Sequence, residues 1–277
     1  MAKEDNGPVV LGVSWFLTAF SACFLCLRVY AKTSRRQGLW WDDCILILSW
    51  FLLAVVTAII QACRELGMGR HVWTIELEDA FALIRLTYIG ASISCFAATF
   101  SKISFGVTLL RLVKGKLSVF VWVCIVSLFV VMLPSALLSW VQCHPAAKLW
   151  IPSLEGTCWP GSVTRDYGYF NAAFCAIVDF ALALIPWKLI WGLQLQTKEK
   201  IGVGIAMSMG LLAGVCAIVK GYYLQQLTDA DFFYKGKNVT IWTVVETATA
   251  IVGACIPVLR VFFKNTCNSL HDRYHRT

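Results

Sequence analysis

Four ionisable residues lie inside long apolar stretches of this sequence, and their side chains are the ones best placed to do chemistry. They are Lys102, Asp179, Lys220 and Glu246. A charged group is costly in hydrocarbon, so such residues normally face the interior of a helix bundle and mark a pathway or a site. Two are acidic and two are basic, and the sequence therefore predicts internal ion pairs rather than isolated charges.

The positions of these residues along their segments indicate which of them can meet. At about 1.5 Å per residue of helix, Lys102 lies about 12 Å from the C-terminal end of the third apolar segment. Asp179 lies about 15 Å from the N-terminal end of the fifth, so both are near the midplane of a hydrocarbon core about 30 Å thick. Lys220 and Glu246 are predicted to form a second, shallower pair on the sixth and seventh segments.

Two interpretations of these charges stay open. In the structural one, the ion pairs fix the register of the helices. In the functional one, Glu246 and Asp179 donate or accept protons in a cavity that opens to the outer leaflet and suits a small lipophilic ligand or substrate. Glu246 is then the most function-sensitive acid. The other predicted lining residues are Lys102, Lys220, His71, Asn171, Tyr88 and Trp242.

The composition requires that membrane-spanning helices position these residues. Of 277 residues, 58 % are hydrophobic and 14 % are charged, whereas about a quarter of a soluble domain is charged. Seven apolar runs are each long enough to cross the hydrocarbon core as a helix. They are 9–27, 44–62, 86–110, 118–141, 169–193, 203–224 and 241–263. We therefore predict one all-α domain over 1–277, a seven-helix transmembrane bundle in a lipid bilayer.

The basic residues predict the orientation of the bundle. The connections and tail on one side carry thirteen Lys and Arg residues, against seven on the other. Because the more basic side stays in the cytosol, the N-terminus is predicted outside and the C-terminus inside. The first run has its basic cluster after it rather than before it, so it is expected to be a retained helix. The predicted location is the plasma membrane or an endomembrane such as the endoplasmic reticulum.

The remaining bases and cysteines argue against two classes of function and predict one disulfide. The net charge is +8, but no basic stripe with interleaved aromatics occurs, which argues against nucleic-acid binding. No Cys/His cluster has metal-ligand spacing. Cys143 and Cys158 flank one predicted outer loop, where a disulfide can form and staple the loop. The sequon at Asn238 is also on that side, but its closeness to the seventh helix disfavours glycosylation.

Other polar and small residues receive structural interpretations. Asp42 and Asp43, at the start of the second helix, are predicted to cap it and to interact favourably with its dipole. Gly210 and Gly214 are predicted to form a close-packing face on the sixth helix. Pro257 is expected to kink the seventh.

A series of short motifs runs along nearly the whole chain. In chain order they are Arg28-Val-Tyr30, Trp41-Asp42-Asp43, Gly67-Met-Gly69-Arg-His71, Lys102-Ile-Ser104, Cys143-His-Pro145 with Trp150 and Gly156-Thr-Cys158, Asn171 with Asp179 and Pro186, and Glu246 with Pro257 and Arg260. Together they resemble the fungal rhodopsin-like integral membrane proteins, a family that includes a satratoxin-cluster member and Pth-type surface receptors. Lys220 departs from the family pattern, which has Arg there, and Val261 stands where the family often has Pro.

The resemblance implies a seven-helix fold and a membrane location, but little chemistry. Retinal is disfavoured, because a retinal pigment needs a lysine in the middle of helix seven and 241–263 contains none. Two classes of function remain. One is a membrane-embedded enzyme or accessory factor that handles a small lipophilic molecule in fungal secondary metabolism. The other is a surface receptor without retinal. The short cytosolic connections favour the first class.

Overall fold

The chain folds into a bundle of long helices. The structure is a computed structural model, and it describes residues 7–34, 38–69, 75–111, 113–151, 154–191, 197–224 and 236–274. These ranges contain seven α-helices. His71, one of the predicted lining residues, lies outside the described ranges. The helices are α1 Gly7–Ser34, α2 Trp41–Glu65, α3 Leu77–Leu110, α4 Lys116–Val141, α5 Gly161–Trp191, α6 Thr197–Tyr223 and α7 Lys237–Tyr274.

Most of these helices extend beyond the apolar runs that predict them. Six are long and apolar enough to cross a membrane, and α6 contributes a shorter apolar stretch, Met207–Tyr223. The first turn of α3 carries Glu78 and Asp79, which the dipole favours at a helix N-terminus. An apolar run thus marks the hydrocarbon-matching part of a helix, while the helix itself continues into polar residues at its ends.

The helices form a closed ring in chain order, and α7 also contacts α2 and α3 across the ring. Each helix packs against its neighbours in sequence, and α1 packs against α7 to close the ring. Phe105 of α3 contacts both apolar cores, one between α1, α2 and α7 and the other between α3, α4 and α5. Residues on α3 can therefore contact side chains of α2, α4 and α7.

Glycines on α6 allow a close approach to α5. A Cβ atom added at Gly210 would lie 2.8 Å from the Cβ of Ala183, and one added at Gly214 would lie 2.8 Å from the Phe180 ring. Both distances are too short for real side chains, so larger residues would push the helices apart. The predicted close-packing face therefore packs against α5.

A disulfide-bonded hairpin joins α4 to α5. Strand β1, Cys143–His144, pairs antiparallel with strand β2, Thr157–Cys158, and a 3₁₀ turn at Ala146–Leu149 lies between them. Cys143 lies opposite Cys158 and is bonded to it. We call this end of the bundle the disulfide end. Which compartment it faces stays a prediction from the basic residues.

Candidate functional site

The four charged residues that lie inside the predicted apolar runs form one cluster in the interior of the bundle. Lys102 Nζ on α3 lies 2.8 Å from Asp179 Oδ2 on α5 and 2.7 Å from Glu246 Oε1 on α7. Glu246 Oε2 lies 2.5 Å from Lys220 Nζ on α6. Both pairs expected from the sequence are present, and Lys102 joins them. We call the linked set of Asp179, Lys102, Glu246 and Lys220 the ionic quartet.

The quartet is buried and electrically balanced. The side chains of Glu246, Lys102 and Asp179 are 0 %, 2 % and 6 % exposed, and that of Lys220 is 20 % exposed. Each of four helices contributes one charge, and two cations face two anions. A low-dielectric interior tolerates charges only when they are paired in this way.

The two acids of the quartet have different surroundings. Both carboxylate oxygens of Glu246 accept hydrogen bonds from lysine ammonium groups. For Asp179 the described hydrogen bond runs from Lys102 to Oδ2, and no described residue donates to Oδ1. Glu246 is thus enclosed between two cations, whereas Asp179 binds one lysine among the described residues.

A small cavity adjoins Asp179. It measures about 20 Å³, and Lys102 and Asp179 both line it, which gives room for about one water molecule. Small residues on α6 and α7 create the space, among them Gly210 and Gly253. The arrangement can therefore place one small polar group against a carboxylate and an ammonium inside the membrane.

None of the other predicted site residues that the structure describes forms a hydrogen bond with the quartet. Asn171 on α5 donates from Nδ2 to Ser135 Oγ on α4 at 3.0 Å, and it thereby links these two helices. Tyr88 on α3 and Trp242 on α7 are half-buried. Asn238 lies in the first turn of α7, and its glycosylation stays a prediction.

A larger cavity, of about 160 Å³, lies between α2, α3 and the start of α7. We call it the α2–α3–α7 cavity. Its lining residues are Val56, Ile59, Ile60, Cys63, Met68, Leu86, Thr87, Gly90, Ala91, Ser94, Gly236, Val239, Thr240, Thr243 and Val244. Of the predicted lining residues that the structure describes, none is among them. The charged side chains bind one another instead, and the space between these three helices is left to apolar and hydroxyl side chains.

A second buried ionic cluster, at the end opposite the disulfide, was not anticipated from the sequence. Arg28 on α1 binds Asp42 through Nη2 at 2.6 Å and Asp43 through Nε at 2.9 Å. Lys32 lies one turn further along α1 and binds the same aspartates at 3.2 and 2.5 Å. Arg111, after the end of α3, also binds Asp42. We call these five residues the Arg28 cluster.

The Arg28 cluster ties four helices together. Arg28 Nη1 donates to the carbonyl oxygen of Ala254 in α7, three residues before Pro257, where the proline weakens the helical hydrogen bonds. Ser104 on α3 donates to the carbonyl oxygen of Asp42 at 2.7 Å. Capping explains only part of this contact network. Asp43 Oδ2 accepts from the Trp40 amide at 3.1 Å and from Lys32, while Oδ1 of the same carboxylate accepts from Arg28.

Comparison with known proteins gives the chain a family. The model of the fungal rhodopsin domain matches residues 27–265, a range that includes both ionic clusters. Fugralins biosynthesis cluster protein 2 of Gibberella zeae is 26 % identical over 254 residues, which are 88 % of this chain and 62 % of that protein.

Shorter matches connect the chain to proteins with two kinds of name. Wortmanamides biosynthesis cluster protein C of Talaromyces wortmannii is 25 % identical over 122 residues, 44 % of this chain and 32 % of that protein. Receptor GIN3 of Arthrobotrys oligospora is 28 % identical over 96 residues, 33 % of this chain and 22 % of the receptor. The chain thus spans less than two thirds of the length of each of these three relatives.

Proposed function

The chain belongs to the fungal rhodopsin domain family, and from this premise we propose that it handles a small lipophilic molecule in fungal secondary metabolism. It does so as a membrane-embedded enzyme or as an accessory factor of one. The similarity over 88 % of the chain to a protein named for the fugralins biosynthesis cluster supports the metabolic setting. So does the similarity to the wortmanamides cluster protein.

The observation that carries the proposal is the small cavity lined by Asp179 and Lys102 in the interior of the bundle, where Asp179 Oδ1 receives no hydrogen bond from a described residue. A group held there can exchange a proton with a bound molecule without competition from bulk water. Uncharged, largely apolar molecules reach such a position at low cost, whereas charged ones do not. The proposed substrate class follows from this difference.

The geometry suggests separate roles for the two acids. Asp179 is the proposed proton donor or acceptor, because it lines the small cavity and no described residue donates to its Oδ1. Glu246 is proposed to fix the positions of Lys102 and Lys220 through its two occupied oxygens. Lys102 in turn holds Asp179 in place.

A receptor without retinal is the second candidate function, and one observation favours it. A third of the chain is similar to a protein named as a receptor, GIN3. In a receptor, the Arg28 cluster would be the element that responds to a ligand, since it binds α7 close to Pro257 and joins four helices. Because such contacts are either formed or broken, they can stabilise one arrangement of the helices relative to another.

Deletion in the native host, followed by metabolite profiling and complementation, tests the proposal. We expect the deletion strain to accumulate a lipophilic precursor, wild-type protein to restore the product, and Asp179→Asn to fail to restore it. Asp166→Asn is the matched control, because Asp166 is on the same helix but its side chain is 65 % exposed. An unchanged metabolite profile together with a lost response to an external compound would favour the receptor and overturn the metabolic proposal.

A further inference from the structure

The α2–α3–α7 cavity has the size of a small-molecule site. Its volume is about 160 Å³, close to that of an engineered apolar cavity of about 150 Å³ that binds benzene. Gly90 borders it and allows α3 to approach α2 closely, because a Cβ added there would lie 3.3 Å from Ile59 Cγ2 on α2. Ala91 also lines the cavity and is exposed, so the cavity is open on that side.

The lining excludes charged ligands. Every described residue that borders the cavity is uncharged, and most contribute hydrocarbon surface. An ionised ligand would therefore lose its hydration without gaining a partner of opposite charge, at a cost of several kcal/mol. An apolar molecule would gain about 25 cal/mol for each Å² of its surface removed from water.

The hydroxyl groups of the lining define what polar group a ligand can carry. Four lining residues have a hydroxyl, and each donates its proton to a carbonyl oxygen of its own helix. The bonds are Thr87 to Leu83 at 2.8 Å, Ser94 to Ala91 at 2.8 Å, Thr240 to Gly236 at 3.2 Å and Thr243 to Val239 at 2.8 Å. A hydroxyl has one proton and two acceptor positions. These oxygens can therefore still accept a hydrogen bond but have no proton left to donate, and the Cys63 thiol is only a weak donor.

We infer that the α2–α3–α7 cavity binds an uncharged apolar molecule with a single hydrogen-bond donor, an alcohol in the simplest case. This inference rests on the proposed function and gives its small lipophilic molecule a place and a polar group. Thr243 precedes Glu246 by less than one turn of α7, so a ligand in the cavity lies on the disulfide side of the ionic quartet. The same chemistry is offered by a metabolite alcohol and by the hydroxyl end of a membrane sterol.

Binding of a matched series of probes to the purified chain in lipid nanodiscs tests the inference. Geraniol has an apolar chain and a hydroxyl, its methyl ether lacks the donor, and geranic acid carries a charge. We expect geraniol to bind roughly tenfold more tightly than the ether, the value of one hydrogen bond in an apolar site, and geranic acid not to bind measurably. Equal affinity for geraniol and its ether would overturn the inference.

Variants of the lining residues locate the site, and Thr247→Val is the control for them. Ala91→Phe fills the cavity from its open side and should abolish geraniol binding without disturbing packed residues. Each lining hydroxyl is removed in turn by Thr87→Val, Ser94→Ala, Thr240→Val and Thr243→Val. The variant that lacks the acceptor of the ligand's proton should bring geraniol to the affinity of the ether. Thr247→Val is the control, because Thr247 also donates one turn back along α7 and lies outside the cavity lining. Wild-type binding by Ala91→Phe would contradict the proposed site.

Further experiments distinguish a sterol from a metabolite as the native ligand. They also distinguish failure of the binding site from failure of the proposed metabolic function. If the native ligand is a sterol, nanodiscs that contain ergosterol should block geraniol in the wild type, and if it is a metabolite they should not; both results support the site. Ala91→Phe is also tested for complementation of the deletion strain. Lost binding with full metabolite production would refute the link to the proposed function, whereas lost binding with lost production would support both. Geraniol binding by the wild type together with an unchanged profile of the deletion strain would leave the site standing and refute the metabolic role.

Discussion

Replacing Glu246 with glutamine removes the carboxylate that binds both lysines of the ionic quartet, and its effect on stability can be worked out from the contacts. Glu246 lies 2.7 Å from Lys102 and 2.5 Å from Lys220, and it is fully buried. Removal of one partner from a buried ion pair costs about 3–5 kcal/mol, because an uncompensated charge remains. Glutamine keeps an acceptor oxygen and nearly the same volume, so the change tests charge rather than packing.

The surroundings of the two lysines place the expected cost near the lower end of that range. Lys102 keeps Asp179 at 2.8 Å. The Lys220 side chain is 20 % exposed, and a lysine with this much freedom can turn its ammonium group toward a more polar region. We therefore expect Glu246→Gln to lower the free energy of unfolding by about 3 kcal/mol.

A compensating variant separates charge from other effects. Lys220→Met in the Glu246→Gln background removes the cation that has lost its partner and preserves most of the side-chain volume. The double variant should be more stable than Glu246→Gln alone by about 1 kcal/mol or more, so the two changes should not be additive. Lys220→Met by itself should destabilise the protein, since it leaves Glu246 with one lysine.

Unfolding of the protein in mixed micelles, followed against the mole fraction of sodium dodecyl sulfate, measures these differences. Glu155→Gln is the control, because Glu155 is exposed in the disulfide hairpin and should change the free energy of unfolding by less than about 0.5 kcal/mol. The reasoning fails if Glu246→Gln is as stable as the control. It also fails if Lys220→Met further destabilises the Glu246→Gln protein.

Three more predictions follow from the contacts of other buried groups. Asp179→Asn should destabilise the protein less than Glu246→Gln, because it removes one lysine contact rather than two, and this can be compared in the same micelle assay. Arg28→Lys should cost about 1–3 kcal/mol of unfolding free energy, since lysine keeps the charge but loses the fork that reaches two aspartates and a carbonyl oxygen. Cys143→Ser opens a loop with a sequence separation of 15 and should lower the free energy of unfolding by about 3 kcal/mol. Reduction of the wild-type disulfide should lower it by the same amount. An unchanged unfolding midpoint in both experiments would contradict a stabilising disulfide.

The seven helices and the two expected ion pairs could be predicted because hydrocarbon imposes strict rules on sequence. An apolar run has to match the membrane thickness, and a buried charge has to find a partner. Counting residues from the segment ends gave depths that allow Lys102 to meet Asp179. The additional contact between Lys102 and Glu246 depends on α3 and α7 packing across the ring, and depth along a helix carries no information about which helices face each other.

The Arg28 cluster is not predicted from the sequence, because the first apolar run ends at residue 27, before its helix ends. With the first run ending at residue 27, Arg28 and Lys32 counted as bases of a connection. In the structure α1 continues to Ser34, so these two side chains lie one turn apart on the same face. A pair of cations at this spacing, followed closely by Asp42 and Asp43 at the start of the next helix, was a usable signal.

The α2–α3–α7 cavity has no comparable signal in the sequence. Its existence depends on the spacing of three helices, and its lining consists of residue types that occur on any membrane helix. Small residues such as Gly90 and Ala91 can equally mark close packing. Apolar surface and intrahelical threonine bonds become a site only when their relative positions are known.

The two ionic clusters also bear on the choice between an enzyme-like and a receptor-like function. α7 is bound at Glu246 by two lysines and at Ala254 by Arg28, which are positions about 12 Å apart along the helix. A displacement of α7 that separated Glu246 from both lysines would leave buried charges unpaired at a cost of several kcal/mol. A ligand can shift a conformational equilibrium only by its difference in affinity for the two states. An uncharged molecule in the α2–α3–α7 cavity would have to supply that difference through its apolar contacts alone, against the ionic contacts that hold α7 at both positions. The charges therefore favour binding or chemistry within a fixed frame over signalling by movement of α7.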